Sequence, residues 1–341
     1  MTDLRRAADA AIKDVLDVKL KERVLIVTNP SRDVLAISKA LLTAARAAGA
    51  EANIIIQPVK TQLDVADRAV ITALKTHPDV VISMSKEKIG KMPDSTESPL
   101  QRLLDAKRTR SFWSPAATTD LFARLVPIDY ATLRTEVADV ARLFKGGVSV
   151  RVTAPSGTDI TVGISGRTMR KDDGLFRTPG SGGNLPAGEV YVSPALGSSN
   201  GRIVFDGSIA SLRGMILIKT PITCLVQDGF VTDIYGGTEA RRLRACLASG
   251  ERMQTNTSAK RFLNFVRNIG EFGIGLNRKA GIVGNILEDE KAYGTCHFAI
   301  GSNFDGDAPS PIHLDGLVKR PTIRVTYRDG SDRVVMKNGR L

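Results

Sequence analysis

Two of the chain's three histidines lie in one stretch, His297-Phe-Ala-Ile-Gly-Ser-Asn-Phe304, followed after an acidic, proline-containing loop by Ile312-His313-Leu-Asp315-Gly. Residues two apart on a strand point to the same side, so His313 and Asp315 would present an imidazole and a carboxylate together. That is a metal-ligand arrangement. The competing reading has His297 as a satisfied core histidine and His313-Leu-Asp315 as an ordinary turn-to-strand polar pair, and so short a motif does not separate the two. Cys296, next to His297, should face the other side of such a strand as a small core residue. Asp305 and Asp307 read as solvated loop carboxylates, and His77, in Thr76-His77-Pro78, as a structural loop histidine.

The length of 341 residues exceeds one typical domain, and 42% hydrophobic with 25% charged residues is ordinary for a globular protein. Cys224, Cys246 and Cys296 form neither a disulfide framework nor a zinc knuckle, which suits a reducing compartment. The first residues read as an amphipathic helix without a signal-type apolar core, and no apolar run approaches a membrane span. The expected setting is therefore cytoplasmic. A net charge of +12 invites a nucleic-acid reading. The basic groups at 107–110, 167–171 and 241–244 are far apart, however, and aromatics for base stacking make up only 5% of residues. An active site that favours acidic substrates uses the surplus equally well.

These residues need elements to position them. Glu22 to Thr28 is a short apolar run that ends at Asn29-Pro-Ser-Arg-Asp33, before a helix from about Val34 to Ala48 stopped by Gly49. Strands at 51–57 and from Asp79, with a helix at about 63–76 between them, complete a β-α-β-α-β pattern, which implies a parallel sheet. The turn after the first strand lacks the glycines of a dinucleotide loop, which disfavours NAD. Segment 87–110 is polar and contains prolines, and Ile128 to Lys145 reads as a helix leading to a second domain. From Gly147 the pattern changes to short β-type runs punctuated by glycine, interrupted by helices at about 239–250 and Ser258 to Phe265. The expectation is an α/β domain over 1–145, followed by an antiparallel, barrel-like or sandwich-like β-rich domain over 146–341 that holds the site.

Several motifs match one family in order: Asn184-Leu-Pro-Ala-Gly-Glu189-Val-Tyr-Val-Ser-Pro194, Ser199 to Asp206, Ile269-Gly-Glu271-Phe-Gly-Ile-Gly-Leu-Asn277, Thr295-Cys-His297 and His313-Leu-Asp315. Over most of its length the chain resembles the bacterial metalloaminopeptidases typified by aminopeptidase T and aminopeptidase S. The resemblance implies an N-terminal α/β domain, a β-rich catalytic domain and a homodimer. It maps metal ligands to Glu189, Glu271, His297, His313 and Asp315, with Glu271 also as the catalytic carboxylate. Three carboxylates and two imidazoles suit a pair of divalent ions such as zinc, cobalt, manganese or magnesium. The activity expected on that basis is a metal-dependent hydrolase that cleaves an amide bond in a peptide or small molecule.

One position departs from this pattern. The peptidases carry a tyrosine seven residues after the strand histidine, and this chain has Phe304. A lost donor near a developing oxyanion can cost about 10²–10³ in rate. The chain is also similar to the 2,5-dihydroxypyridine dioxygenases, iron enzymes of the same layout. That branch implies one Fe(II) on two histidines and an aspartate, an arrangement that leaves positions open for oxygen. His313 and Asp315 fit, whereas Glu271 stands where the second histidine is expected, and His297 and Glu189 are surplus. On this count the two-metal hydrolase is the main expectation and the ring-cleaving dioxygenase the alternative.

Overall fold

A computed structural model of the protein describes residues 3–61, 64–95, 97–255 and 265–341. The chain divides into two compact units, one of Met1–Arg134 with Asp172–Gly188, the other of Thr135–Lys171 with Glu189–Leu341. The single boundary read from the sequence lies near residue 145, within the second unit.

The first unit is built on a five-stranded sheet in the order Glu51–Ile56, Arg23–Thr28, Val80–Met84, Arg110–Trp113, Gly182–Asn184, with every pair parallel. The runs at 24–28 and 80–84 are buried throughout, as a sheet covered on both faces requires. One face packs Leu25, Val27 and Val81 against Val70, Leu74, Leu100, Leu103 and Leu104, each side chain worth up to ~1.5–3 kcal/mol of burial. The turn after the first strand is a polar staple. Asn29 Nδ2 donates to the Gln57 and Pro58 carbonyls at 3.0 and 3.1 Å, and its Oδ1 accepts from Lys86 N at 2.6 Å.

Sequence reading misses the last two strands, because they are only four and three residues long. Arg110, read there as part of a basic surface group, is buried; its Nη2 lies 2.6 Å from Glu22 Oε2, and its Nε donates to the Leu16 carbonyl at 2.8 Å. The N-terminal helix forms as expected, over Asp3–Ala10, and continues through a wider turn, Ala11–Val15.

The second unit has two seven-stranded sheets. The first runs Phe230–Tyr235, Ile222–Gln227, Asn200–Phe205, Asp159–Gly163, Gly147–Thr153, Thr322–Tyr327, Asp332–Met336. The second runs Gly214–Leu217, Ser208–Ser211, His313–Lys319, Thr295–Gly301, Ile269–Gly275, Glu189–Val192, Arg170–Asp172. The expected antiparallel β-rich architecture and the expected parallel sheet are therefore both present. The sheets meet where Phe205 lies over Gly316, so closely that a Cβ there would be 2.6 Å from the ring. Phe272 and Phe298 stack on the same apolar face with ring centroids 5.3 Å apart. The helix expected from about Glu239 spans Thr238–Thr255, whereas the one expected over 258–265 falls mostly on residues 256–264, outside the described set. No helix among the described residues is long and apolar enough to cross a membrane.

Candidate metal centre

With Phe272, Phe298 and Gly316 turned toward the apolar core, alternation sends their neighbours to the opposite face of the second sheet. Register then assembles the site. Asp315 lies opposite Ala299, which lies opposite Glu271; His313 lies opposite Gly301. His297 lies opposite Gly273, itself opposite Tyr191, and Glu189 lies opposite Gly275. Five ligand-type side chains from four strands thus share one face, separated by glycines and an alanine.

Two glycines make this possible. The pairing slips between Ile269 and Glu271, so Gly270 is an extra residue at the entry of the strand, while Glu271 to Ile274 hold one continuous register that keeps Glu271 on the face of His297. A Cβ on Gly270 would lie 2.2 Å from the Ser302 carbonyl oxygen, and one on Gly273 would lie 2.0 Å from His297 Nε2. Neither position admits a side chain without displacing what it faces.

The ligand atoms form two triangles that share Glu271, one of Glu271, His313 and Asp315, the other of Glu189, Glu271 and His297, each with its atoms within 4.8 Å of one another. His313 Nε2 is 3.2 Å from Asp315 Oδ1 and 3.4 Å from Glu271 Oε2. Metal–ligand bonds of ~2.1 Å at right angles give edges of ~3.0 Å, so these two separations are close to the edges of a coordination polyhedron. Glu271 Oε2 and Asp315 Oδ1 are buried and have no hydrogen-bond partner among the described residues. Buried carboxylate oxygens left so are costly unless a cation takes them up, so the donor set fits a divalent ion. His313 Nδ1 lies 2.8 Å from the Ser302 carbonyl oxygen, to which it can donate, leaving Nε2 turned to the carboxylates.

The electrostatics point the same way. Burial opposes a charged His297, but a hydrogen bond with Glu271 and the charges of Glu189, Glu271 and Asp315 outweigh it and raise its pKa to about 9. For His313, burial is again overcome, by Asp315 and Glu271, and its pKa lies well above the usual value. Burial would raise Asp315, yet His313 beside it holds its pKa at about 2. Glu271 is lowered against its burial by the two histidines beside it, His297 at 3.2 Å and His313 at 3.4 Å. The carboxylates demand positive charge, which two imidazolium rings or a divalent ion can supply.

All five sequence-derived ligand positions, Glu189, Glu271, His297, His313 and Asp315, come together. Arg267, four residues before Glu271, bonds Glu251 at 2.7 Å. Cys296 faces the core, and burial pushes its thiol pKa up. Asp305 and Asp307 are not merely solvated: Arg167 bridges both, at 3.1 and 2.6 Å, and Arg170 also bonds Asp305 at 2.8 Å, pinning the loop that follows Phe304. The Phe304 ring, 54% exposed, stands edge-on to His313 and to Tyr191, with centroids 5.2 and 5.3 Å away.

Sequence reasoning missed Lys291, whose side chain is fully buried with Nζ 2.6 Å from Glu189 Oε1 and 2.6 Å from Glu290 Oε1. In Leu-Glu-Asp-Glu-Lys it looks like any solvated charge run. The short helix Ile286–Asp289 and the return of the Lys291 carbonyl onto Asn277 N, at 2.9 Å, bring it under the sheet beside Gly275.

Comparison with known proteins bears on the chemistry. The model of the family described as NicX, 2,5-dihydroxypyridine 5,6-dioxygenase, matches residues 11–341. A curated relative, the 2,5-dihydroxypyridine 5,6-dioxygenase of Pseudomonas putida, is 25% identical over 209 residues, covering 58% of this chain and 55% of the relative, so the match spans about half of that protein's length. In structure the chain is similar to a 2,5-dihydroxypyridine dioxygenase from Pseudomonas putida, with a TM-score of 0.78 at 20% identity over 100% of this chain and 98% of that one. It is also similar to AmpT from Thermus thermophilus, with a TM-score of 0.71 at 17% identity over 99% and 98%. At such identities these structural likenesses establish the shared fold.

The family match overturns the main functional expectation. The hydrolase, aminopeptidase and metalloprotease reading rested on a five-ligand set typical of two-metal peptidases, and ligand chemistry alone does not distinguish branches built on one scaffold. The match falls on the branch that the sequence reading held as its alternative. The chain belongs to the NicX family of 2,5-dihydroxypyridine 5,6-dioxygenases.

Proposed function

We propose that the protein is an iron-dependent ring-cleaving dioxygenase acting on a hydroxylated pyridine, 2,5-dihydroxypyridine or a close analogue. The observation that carries this reading is the convergence of Glu271, His313 and Asp315, with two buried carboxylate oxygens lacking hydrogen-bond partners among the described residues, in a chain of this family. These three residues would hold the ion, and Glu271 takes the place that a second histidine has in the usual two-histidine, one-carboxylate triad. A ferrous ion bound there supplies the capacity to activate dioxygen.

The remaining work belongs to the chain's own groups. The His313 side chain is 25% exposed, so this triangle has a side open to an incoming molecule, while His297 is fully buried. Phe304 stands edge to face against His313, backed by Tyr191 on its own ring, and offers a flat heteroaromatic ring a stacking surface at that opening. Phe304 in place of a tyrosine suits that role, since ring stacking needs no phenol. The Ser302 carbonyl and the His297–Glu271 contact at 3.2 Å fix two of the ligands before any substrate arrives.

The test is oxygen consumption. Protein reconstituted anaerobically with Fe(II), then mixed with 2,5-dihydroxypyridine and air-saturated buffer, is expected to consume one dioxygen per substrate while the ring absorbance disappears. Absence of oxygen uptake with 2,5-dihydroxypyridine and its hydroxylated analogues, in protein shown to contain iron, would defeat the proposal.

A further inference from the structure

The two ligand triangles have comparable donors, and geometry alone would allow an ion in each. Lys291 makes them unequal. Its ammonium is fully buried and hydrogen-bonds Glu189 directly, while Glu290, the more exposed of its two partners, holds it from another direction. From this arrangement we infer that the Lys291 ammonium is a built-in cation that takes the place of a second divalent ion, so that the chain binds one ion, on Glu271, His313 and Asp315. This inference rests on the metal-binding part of the proposed function and is independent of the reaction catalysed.

An ion bound through Glu189 Oε2 would lie within about 7 Å of Nζ, the sum of the 2.6 Å hydrogen bond, ~2.2 Å across the carboxylate and a ~2.1 Å metal bond. Lys291 is 0% and Glu189 4% exposed, so water has little room to screen a dication from an ammonium at that range. Lys291 places a fixed positive charge against Glu189 and Glu290. Glu271 and Asp315 remain, with the charge that one divalent ion neutralises.

Glu189 and His297 then act as positioning residues. Glu189 anchors Lys291, and His297, 3.5 Å from Glu189 and 3.2 Å from Glu271, ties the lysine to the ligand carboxylate. Gly275 is part of the device, because a Cβ there would lie 2.2 Å from the Ala292 carbonyl and push away the segment that carries Lys291.

Mn(II) serves as the probe, with equilibrium dialysis for stoichiometry and electron paramagnetic resonance for spin coupling between paired ions. The expected results are one Mn(II) per wild-type chain with an uncoupled spectrum, two per chain with a coupled spectrum in Lys291→Met, and one per chain in Glu189→Gln. Two ions in the wild type, one ion in a folded Lys291→Met, or none in Glu189→Gln would each overturn the inference. Should Lys291→Met fail to fold, the wild type and Glu189→Gln still decide. Absence of any ion from the wild type refutes the metal site itself and the inference with it, whereas one ion without oxygen uptake refutes only the proposed reaction.

Discussion

Gly273→Ala tests the packing argument for the site most directly. The added Cβ would lie 2.0 Å from His297 Nε2 and 2.3 Å from Cε1. Ordinary contact begins at about 3.4 Å, so ring and strand must separate by about 1.4 Å (3.4 minus 2.0) within a close-packed, fully buried region. Overpacking of this kind costs about 1–3 kcal/mol. The shift also exceeds the 0.3 Å margin between the 3.2 Å His297–Glu271 contact and the 3.5 Å limit of a hydrogen bond, so Glu271 loses the partner that orients it. Losing such an outer contact lowers metal affinity by about 10–100-fold. Gly281→Ala is the control, because a Cβ there meets only Glu288 Oε1, at 3.9 Å. Chemical denaturation and Mn(II) titration of both variants give the two readouts. If Gly273→Ala matched Gly281→Ala in both, the claim that glycine at 273 makes room for His297 would be refuted.

Three further outcomes are expected. His313→Ala removes the imidazole from the Glu271–Asp315 triangle and should leave chains folded by circular dichroism but without bound metal; retention of a full equivalent would count against the ligand assignment. In metal-free protein, the folded pKa of His297, about 9, lies above its ordinary 6.5, so its contribution is fully present below pH 6.5 and fades as pH rises through 9. Asp315, at about 2 against 3.8, contributes above pH 3.8 and loses this as pH falls through 2. Stability in EDTA should therefore fall between pH 6.5 and 9, by at most about 1.4 kcal/mol per pH unit for each proton linked, and added metal should abolish the decline; a rise in EDTA over that window would contradict the site electrostatics. Arg110→Ala leaves Glu22 and the Leu16 carbonyl without their buried partner and should destabilise the first unit by about 3–5 kcal/mol, seen as early proteolytic cleavage within residues 3–134; wild-type resistance would show that this ion pair is not structural.

Local pattern alone fixes a good deal of this molecule. The apolar runs at 24–28 and 80–84, with an amphipathic helix between the first two strands, dictate a covered parallel sheet, because nothing else buries them. The glycine-punctuated alternation after residue 147 dictates an antiparallel second region, and two-residue periodicity puts His313 beside Asp315. All five candidate positions, Glu189, Glu271, His297, His313 and Asp315, are legible as residue types in matched motifs. Their number misled about the reaction, since one scaffold with one ligand set can serve different chemistries.

What only the tertiary structure decides is how those residues meet. Strand register sets Glu271 across Ala299 from Asp315 and next to His297, and register has no signature in hydrophobic pattern. Lys291 is one charged residue among several in its segment until the fold removes it from water and sets it against Glu189. Arg110 undergoes the same change against Glu22. The physical reason is common to all three: sequence periodicity reports which side of its own element a residue occupies, while register and burial depend on partners from other elements, tens of residues away.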